Sequence, residues 1–386
     1  MERLPTEVLI NIVSYIKNRK TLVSLRQVDK AISRSAARGL FRRVVFRLGH
    51  SHSSTGLEAL SSSDYALLVR HIDFKPRSLF KEREGYEYSL IEGDIVERIP
   101  PLLAKFVNLN TANIWPCEWD SEPFEAWLPR VLESVAKPQL RRLTRLHFPI
   151  DGSCYLTHCL NSDHHAKVKK LIRQIEHLSL HSRVNDNPHL QGLDTLLETA
   201  ANLSSLNIGG FCEVFELSVG DIDCSQLLRL KSLELNFVFI SSYELLGLLE
   251  RCKDTIRFVK VDSVSLTKGS WLHVLMQSKN NLKLLDIHLF NWEISLNKEL
   301  KNRGDIWLDH GFFRRDYKLI CLALGELQRQ INANRHAEGL NRWPKKKFRS
   351  LGFLPLQFIM EKGRYTELIS QSWDAEKDDS YHSDSE

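Results

Sequence analysis

An apolar motif that returns at a nearly constant interval is the feature that most restricts what this chain can fold into. The motif reads apolar-x-x-apolar-x-apolar and occurs eight times, for example as VRHIDF, LSSLNI and LKLLDI. Its first residues are separated by 40, 34, 32, 28, 27, 26 and 26 positions, so the spacing converges on one value. They are Val69, Leu109, Leu143, Ile175, Leu203, Leu230, Ile256 and Leu282. Such convergence indicates a chain built from structural repeats.

Helical patterns lie between successive motifs. They read EPFEAWLPRVLESVA, LDTLLETAAN, SYELLGLLERC and GSWLHVLMQS, and each ends shortly before the next motif begins. A short strand and a helix in every 26–34 residues predict an α/β leucine-rich repeat solenoid with about eight strand units. One unit cannot bury its apolar face alone, so stacked neighbours must share a continuous core.

Recognition residues are expected on the strand face, between the apolar positions of each motif. The alternating apolar side chains of a strand point inward, which leaves the intervening polar side chains on the concave surface. Repeat proteins use that surface for binding. The pattern does not identify the substrate-binding residues. The candidates are Arg145, His147, Glu176, His177, Ser179, Ser205, Asn207, Glu234, Asn236, Lys260, Lys283 and His288.

The first fifty residues differ from the rest in both pattern and charge. Three short amphipathic helices are predicted there, and eleven Lys or Arg residues against three acidic ones give +8 in a chain whose net charge is +5. Helices this short bury little apolar surface in one another. They must therefore dock on the rest of this chain or on another protein. The basic charge also fits a helix-turn-helix that binds nucleic acid, but the cations do not follow one helix face.

The sequence of this segment resembles an F-box. It reads LPTEVLINIVSYIKNRKTLVSLRQVDKAISRSAARGLFRRVVF, and LFRRVVF occupies the place where many F-boxes carry a tryptophan. The positions that match the family pattern are Leu4, Pro5, Glu7, Leu9, Ile12, Leu22, Leu25, Arg26, Val28, Leu40 and Phe41. The resemblance implies that these residues, apart from Arg26, bind a Skp-family adaptor and so connect the chain to a cullin-based ubiquitin ligase.

The sequence predicts four segments. Residues 1–47 are assigned to the F-box, 48–290 to the solenoid, 291–370 to a C-terminal capping region and 371–386 to a disordered acidic tail. The capping assignment depends on one apolar helix face, formed by Tyr317, Ile320, Leu324, Leu327 and Ile331. A basic cluster, WPKKKFR, fits either a nuclear-import signal or solvated surface.

The sequence favours a chain that is not itself an enzyme and needs no cofactor. The most suggestive stretch is CYLTHCLNSDHH, but its spacing fits no usual zinc pattern and favours an ordinary polar loop over a metal site. The common phosphate-loop, nucleophile-elbow and metalloprotease motifs are absent from the sequence. Cys117 and Cys252 lack the context of a thioester-forming cysteine.

Cysteine usage and hydropathy favour the cytoplasm or the nucleus. The seven cysteines are scattered and never form a Cys-x-x-Cys pair, as expected of reduced thiols. The sequence shows no apolar signal core and no window that would span a membrane.

The chain after residue 50 is slightly acidic, which argues against nucleic acid as a partner.

Two functions remain open from the sequence. The first is a substrate-recognition adaptor, in which the F-box binds a Skp-type protein and the repeats bind a protein substrate. The alternative is a repeat scaffold or regulatory binder without ligase association, whose N-terminal helices cap the solenoid. A cap would hide Leu4, Pro5, Leu9 and Ile12 against the first repeat, whereas an adaptor-binding segment would leave apolar residues exposed.

Overall fold

Parallel strands and intervening helices make up the computed structural model. This confirms the α/β class that the repeats predict. The chain divides into two compact units, Met1–Glu213 with Asp221–Leu227, and Val214–Gly220 with Leu228–Glu386. The structure describes residues 5–16, 18–47, 51–75, 97–115, 123–138, 140–150, 166–182, 193–210, 215–216, 229–290 and 310–342. The cysteine–histidine stretch 154–165, the basic cluster 343–349 and the acidic tail 371–386 lie outside the described residues.

The first unit begins with the three short helices that the sequence predicts. They are α1 (Thr6–Ser14), α2 (Arg19–Leu25) and α3 (Lys30–Phe41). The side chain of Asn18 accepts hydrogen bonds from the N–H groups that open α2, and the side chain of Asp29 does the same for α3. Both α1 and α2 pack on α3. Their shared core contains Val13, Leu22, Ala36 and Leu40, with Ile16, Leu25 and Phe41 packed against it.

Six parallel strands follow one another in the first unit, each paired with the next in chain order. A continuous row of register partners crosses the strands at Val44, Ile72, Ala112, Leu146, Leu178 and Leu206. The strands are β1 (Arg43–Arg47), β2 (His71–Lys75), β3 (Thr111–Ile114), β4 (Arg145–Ile150), β5 (His177–Ser182) and β6 (Ser205–Gly210).

Burial follows the repeat motif. The apolar motif positions are buried, as the alternation predicts, except for Leu285 of the last motif, which is half-buried beside the buried Leu284. The residue at the second motif position also makes a recurring contact: the carbonyl of Arg70 accepts hydrogen bonds from Asn110 and Thr111 of the next repeat, at 2.9 and 3.1 Å. The same pair of bonds recurs at the start of β2, β4, β5 and β6, and at the start of the later strands that begin at Phe258 and Asp286. Within each unit, neighbouring strands are therefore joined by the same geometry.

The sheet begins with a strand that is not part of the eight motifs. β1 follows α3 directly, and its Val44 and Phe46 are register partners of Ile72 and Phe74. The carbonyl of Arg42 accepts the two hydrogen bonds of the repeat pattern. The closing segment of the F-box-like sequence is thus also the first strand of the repeat sheet.

Helices of the first unit form a layer in chain order. Neighbouring members of this layer contact one another from α4 to α8. They are α4 (Ser51–Ser61), α5 (Ile99–Leu103), α6 (Pro123–Ala136), α7 (Ala166–Gln174) and α8 (Leu193–Thr199), and a 3-10 helix, Asp64–Leu68, lies between α4 and β2.

The second unit continues the strand–helix alternation and adds a small second sheet. Its main strands, β8 (Ser232–Asn236), β10 (Phe258–Asp262) and β12 (Asp286–Phe290), pair in parallel. The small sheet contains β7 (Phe215–Glu216), β9 (Val238–Ile240) and β11 (Ser265–Leu266). The helices are α9 (Ser242–Arg251), α10 (Trp271–Asn281) and α11 (His310–Ala337).

Two sharp corners separate the main strands from the small sheet. The backbone turns at Phe237, with φ 53°, and at Ser263, with φ 52°. Non-glycine residues rarely adopt this left-handed conformation, which is why the sequence does not reveal the corners. The N–H of Phe237 donates to the carbonyl of Asp262 at 2.9 Å, so one corner is bonded to the next repeat.

The long helix α11 packs against α10 at the end of the second unit. Ile320, Leu327 and Ile331 are buried, and Lys279 and Glu326 form an ion pair between the two helices. The side chain of Asn334 donates to the carbonyl of Leu284 at 2.9 Å, just before β12. The apolar side of α11 therefore covers the last strand–helix pair.

Candidate functional site

An apolar stripe lies exposed on the first helix. Val8, Ile12 and Tyr15 are 41%, 51% and 81% exposed, and their spacing of four and three residues places Val8 and Ile12 on one face of α1 together with Tyr15, which caps its C-terminus. Val23 and Val28 add further exposed apolar surface near the end of α2. Five exposed valine, isoleucine and tyrosine side chains on so small a helical unit form a surface suited to another protein.

The residues that match the F-box pattern divide into core and surface. Leu22 and Leu40 are buried in the three-helix core, with Leu25 and Phe41 packed against it. The others lie nearer the surface: Leu9 is half-buried, and Pro5, Glu7, Ile12 and Val28 are exposed. Leu4 lies outside the described residues. The core residues therefore hold the helices together, while the exposed ones are available to a partner.

A cluster around Arg26 joins the three helices to the first repeat. The guanidinium of Arg26 lies 5.2 Å from the ring of Phe41 and 5.0 Å from the ring of Tyr65, and it donates to the Tyr65 hydroxyl at 3.0 Å. The two rings are stacked at 4.6 Å. Tyr65 belongs to the 3-10 helix before β2, so the cluster fixes the helices on the first repeat.

A second candidate surface is the strand face of the first unit, defined as the outward side chains of β1–β6 and Trp115. At the β1–β3 end of this face, a buried carboxylate connects side chains of neighbouring strands. Asp73 is 1% exposed and accepts hydrogen bonds from Arg43 Nε at 2.6 Å and from Asn113 Nδ2 at 2.7 Å. Because Arg43, Asp73 and Asn113 lie on three successive strands, their bonds cross-link the face of the sheet.

Aromatic and imidazole rings occupy the middle of the strand face. The ring of His147 lies 5.2 Å from that of Trp115 and 4.5 Å from that of His181. His147 Nδ1 is 3.0 Å from the hydroxyl oxygen of Ser179 on the next strand. Burial, together with the neighbouring His181, lowers the pKa of His147 from 6.5 to about 4, although Asp73 opposes the shift. His147 is therefore neutral at physiological pH.

Acidification is expected to destabilise the chain through His147. The unfolded chain takes up this proton near pH 6.5 and the folded chain only near pH 4, so the unfolded state binds more protons in between. The folded state then loses up to roughly 3 kcal/mol as the pH falls across that window. A His147→Gln variant should lose less stability between pH 7 and pH 4.5, measured by urea unfolding. An unchanged difference between the two pH values would contradict this prediction.

The strand face of the second unit has a different electrostatic character. Lys260 forms an ion pair with Glu234, its register partner on β8. His288 Nε2 lies 3.2 Å from a carboxylate oxygen of Asp286. The motif pattern alone does not distinguish the polar residues of the two units, whereas in the structure Lys260 pairs with Glu234 and His288 with Asp286 in the second unit.

The candidates that the motif pattern predicts do not include Asp73, Asn113, Trp115 and His181, which lie on the strand face. Asp73 and Asn113 occupy the fifth position of their motifs, the same position as His147, Ser179 and Asn207, and the register places this column side by side. Aligning the motifs by column would have found these two. Trp115 lies after the end of β3 and His181 beyond the sixth motif position, so the motif alone could not show them.

Metal and thiol chemistry gain no support from the described part of the chain. No group of three or more His, Cys, Asp or Glu side chains able to hold a metal ion occurs among those residues. Cys252 is 1% exposed, and its thiol lies 3.1 Å from the carbonyl oxygen of Leu248 within the helix layer. Cys117 lies outside the described residues. None of the described helices is both long and apolar enough to cross a membrane.

Comparisons with known proteins do not assign the chain to a family. No family model matches the chain, and no curated protein matches its sequence. The function proposed below therefore rests on the residues of this chain and on their placement.

Proposed function

We propose that the chain is a substrate-recognition adaptor of a cullin-based ubiquitin ligase. Its three N-terminal helices form an F-box that binds a Skp-type adaptor, and its leucine-rich repeats bind a protein substrate. The observation that carries the proposal is the exposed stripe of Val8, Ile12 and Tyr15, which lies within a segment that matches the F-box pattern. Other subunits of the complex carry out ubiquitin transfer, and this chain needs no cofactor for its role.

The exposure of the N-terminal helices favours this function over the capping alternative. A cap for the solenoid would bury Pro5 and Ile12 against the first repeat, but Ile12 is 51% exposed and Pro5 is also exposed. Burying an isoleucine side chain in a partner contributes about 1.5–3 kcal/mol. The basic charge of the same segment suits an acidic adaptor and speeds its association.

The rigid junction between helices and repeats also suits an adaptor. A ligase must hold its substrate at a defined place relative to the transferring subunit, so the two binding surfaces should not move freely against each other. The Arg26 cluster and the shared strand β1 both fix the helices on the repeats of the first unit. The proposed site of action is the cytoplasm or the nucleus, where adaptor and thiols would be in a reducing environment.

Co-purification with a Skp-family adaptor tests this function. The full chain should bind, and Ile12→Asp should weaken binding about 30-fold or more, because a charge replaces an apolar contact at the centre of the stripe. Val107→Asp is the matched control, since Val107 is also apolar and 56% exposed but follows α5. It should bind as the unchanged chain does.

Circular dichroism must show that all three proteins are folded before binding is compared. A folded, unchanged chain that fails to bind the adaptor would overturn the proposal and favour the repeat scaffold. Equal binding by Ile12→Asp and Val107→Asp would mean that the stripe on α1 is not the adaptor surface.

A further inference from the structure

Three cations on the strand face of the first unit have no carboxylate partner among the described residues. Arg47 and Arg145 are exposed and Lys75 is half-buried, and none of the three forms an ion pair with another described residue. Arg43, by contrast, is neutralised by Asp73. The strand face therefore carries a net positive charge that the described side chains do not balance.

The positive charge of the face also affects the pKa values of two of its histidines, His71 and His177. Burial lowers the pKa of His71, and the charges of Arg42, Arg43 and Arg145 lower it further. Burial, followed by the charge of Arg145, also lowers the pKa of His177. Burial first and the nearby cations second thus favour the neutral imidazole at both positions, and the positive charge of the face lies on the arginine and lysine side chains.

The placement of the three cations defines an extended binding path. Arg47 and Lys75 are register partners on β1 and β2, so they lie side by side at the carboxyl end of the strands. Arg145 lies at the opposite end, three strands away from β1, in register with His177. From strand spacing and rise, the diagonal between the two ends is roughly 20 Å. About six residues of extended peptide cover that length.

We infer that this strand face binds an acidic peptide segment of the substrate, an inference that rests on the proposed adaptor function. Anionic side chains at one end of the segment lie over Arg47 and Lys75, and those at the other end lie over Arg145. The shared chemistry is a carboxylate or a phosphorylated side chain, since both are anions that pair with arginine and lysine. The strand face of the second unit is less suited, because Lys260 there already has Glu234 as its partner.

Nucleic acid fits this face less well than an acidic peptide. Proteins that bind DNA through its backbone commonly neutralise six to ten phosphates, whereas this face offers three cations without a carboxylate partner among the described residues. Single-stranded nucleic acid also needs an open aromatic ring on which a base can stack. The ring of Trp115 is already covered by the ammonium of Lys75, 5.0 Å from its centroid.

Fluorescence anisotropy with short probes tests the inference. The probes are a labelled decapeptide of alternating glutamate and serine, the same peptide with its serines phosphorylated, a glutamine-for-glutamate version, and a single-stranded DNA decamer. The full chain should bind both acidic peptides, and binding should weaken with added salt. The Arg47→Gln, Lys75→Gln, Arg145→Gln triple variant should bind them at least about tenfold more weakly.

A second triple variant separates the location of the charges from their number. Lys105→Gln, Lys167→Gln and Arg173→Gln remove the same charge from exposed positions outside the strand face, and should leave peptide binding unchanged. Circular dichroism of both variants confirms that they fold. A stronger response to the phosphorylated peptide would identify phosphate as the preferred anion, and an equal response would identify the carboxylate.

The outcomes distinguish this inference from the proposed function, because the same proteins are also tested for adaptor co-purification. A chain that binds the adaptor but neither acidic peptide would overturn the inference alone. Tighter binding of DNA than of either peptide would overturn it in favour of nucleic acid, and equal losses in both triple variants would reduce it to an effect of net charge. A chain that binds peptide but no adaptor would overturn the role in substrate capture.

Discussion

Replacing Gly269 by alanine is expected to destabilise the second unit by about 3 kcal/mol or more. Gly269 adopts φ +87°, a conformation that residues with a side chain rarely adopt. An added Cβ would also lie 1.8 Å from the hydroxyl oxygen and 2.7 Å from the Cβ of Ser242. Ser242 cannot move aside easily, because it is fully buried and its N–H donates to the carbonyl of Lys268 at 2.9 Å.

Two other glycines provide matched controls for Gly269→Ala. Gly339 also has a positive φ, +69°, but an added Cβ would meet no atom within 4 Å, so Gly339→Ala should cost only about 1 kcal/mol. Gly247 lies inside α9 with open space around it, so Gly247→Ala should stabilise by about 0.5–1 kcal/mol. Urea unfolding followed by circular dichroism measures all three. Similar losses for Gly269→Ala and Gly339→Ala would show that crowding by Ser242 is unimportant.

Phe74→Ala is expected to cost about 3–5 kcal/mol, because it empties a large site in the core of the first unit. Phe74 is 0% exposed, and its ring meets that of Phe46 edge to face at 6.1 Å between centroids. It is also in register with Ile114 on β3. In a stacked repeat architecture each strand depends on its neighbours, so the cavity weakens the contacts on both sides of β2.

An exposed phenylalanine on another strand is the control for Phe74→Ala. Phe258 opens β10 and is 44% exposed, so Phe258→Ala should cost less than about 1 kcal/mol. Thermal unfolding and urea titration of both variants measure the difference. If the two substitutions cost the same, burial in the repeat core does not determine stability at these positions.

The repeat core could be predicted because it depends on a period in the sequence. Val69, Ile72 and Phe74 follow the same apolar spacing as every later motif, and the structure buries these three and every later motif position except the half-buried Leu285. The small sheet of the second unit could not be predicted in this way. Its corners depend on the left-handed backbone of Phe237 and Ser263, a conformation that neither residue type signals.

The candidate sites were less accessible to sequence reasoning than the core. The exposed stripe of Val8, Ile12 and Tyr15 follows helical spacing, but spacing alone does not say whether a helix face is covered. The strand face depends on which residues of distant repeats become neighbours. Arg43 and Asp73 are thirty positions apart in the chain, and only the parallel register of β1 and β2 brings them together.

The shared strand β1 has a consequence for any attempt to remove the N-terminal helices. A chain that starts after residue 47 would lose Arg43, strip Asp73 of its cation and leave the hydrogen-bonding groups of β2 that face β1 without a partner. An uncovered parallel strand of this kind readily pairs with another copy and aggregates. Loss of adaptor binding in such a shortened chain would then report a damaged sheet edge, and single surface substitutions are the sound way to separate the two roles of this segment.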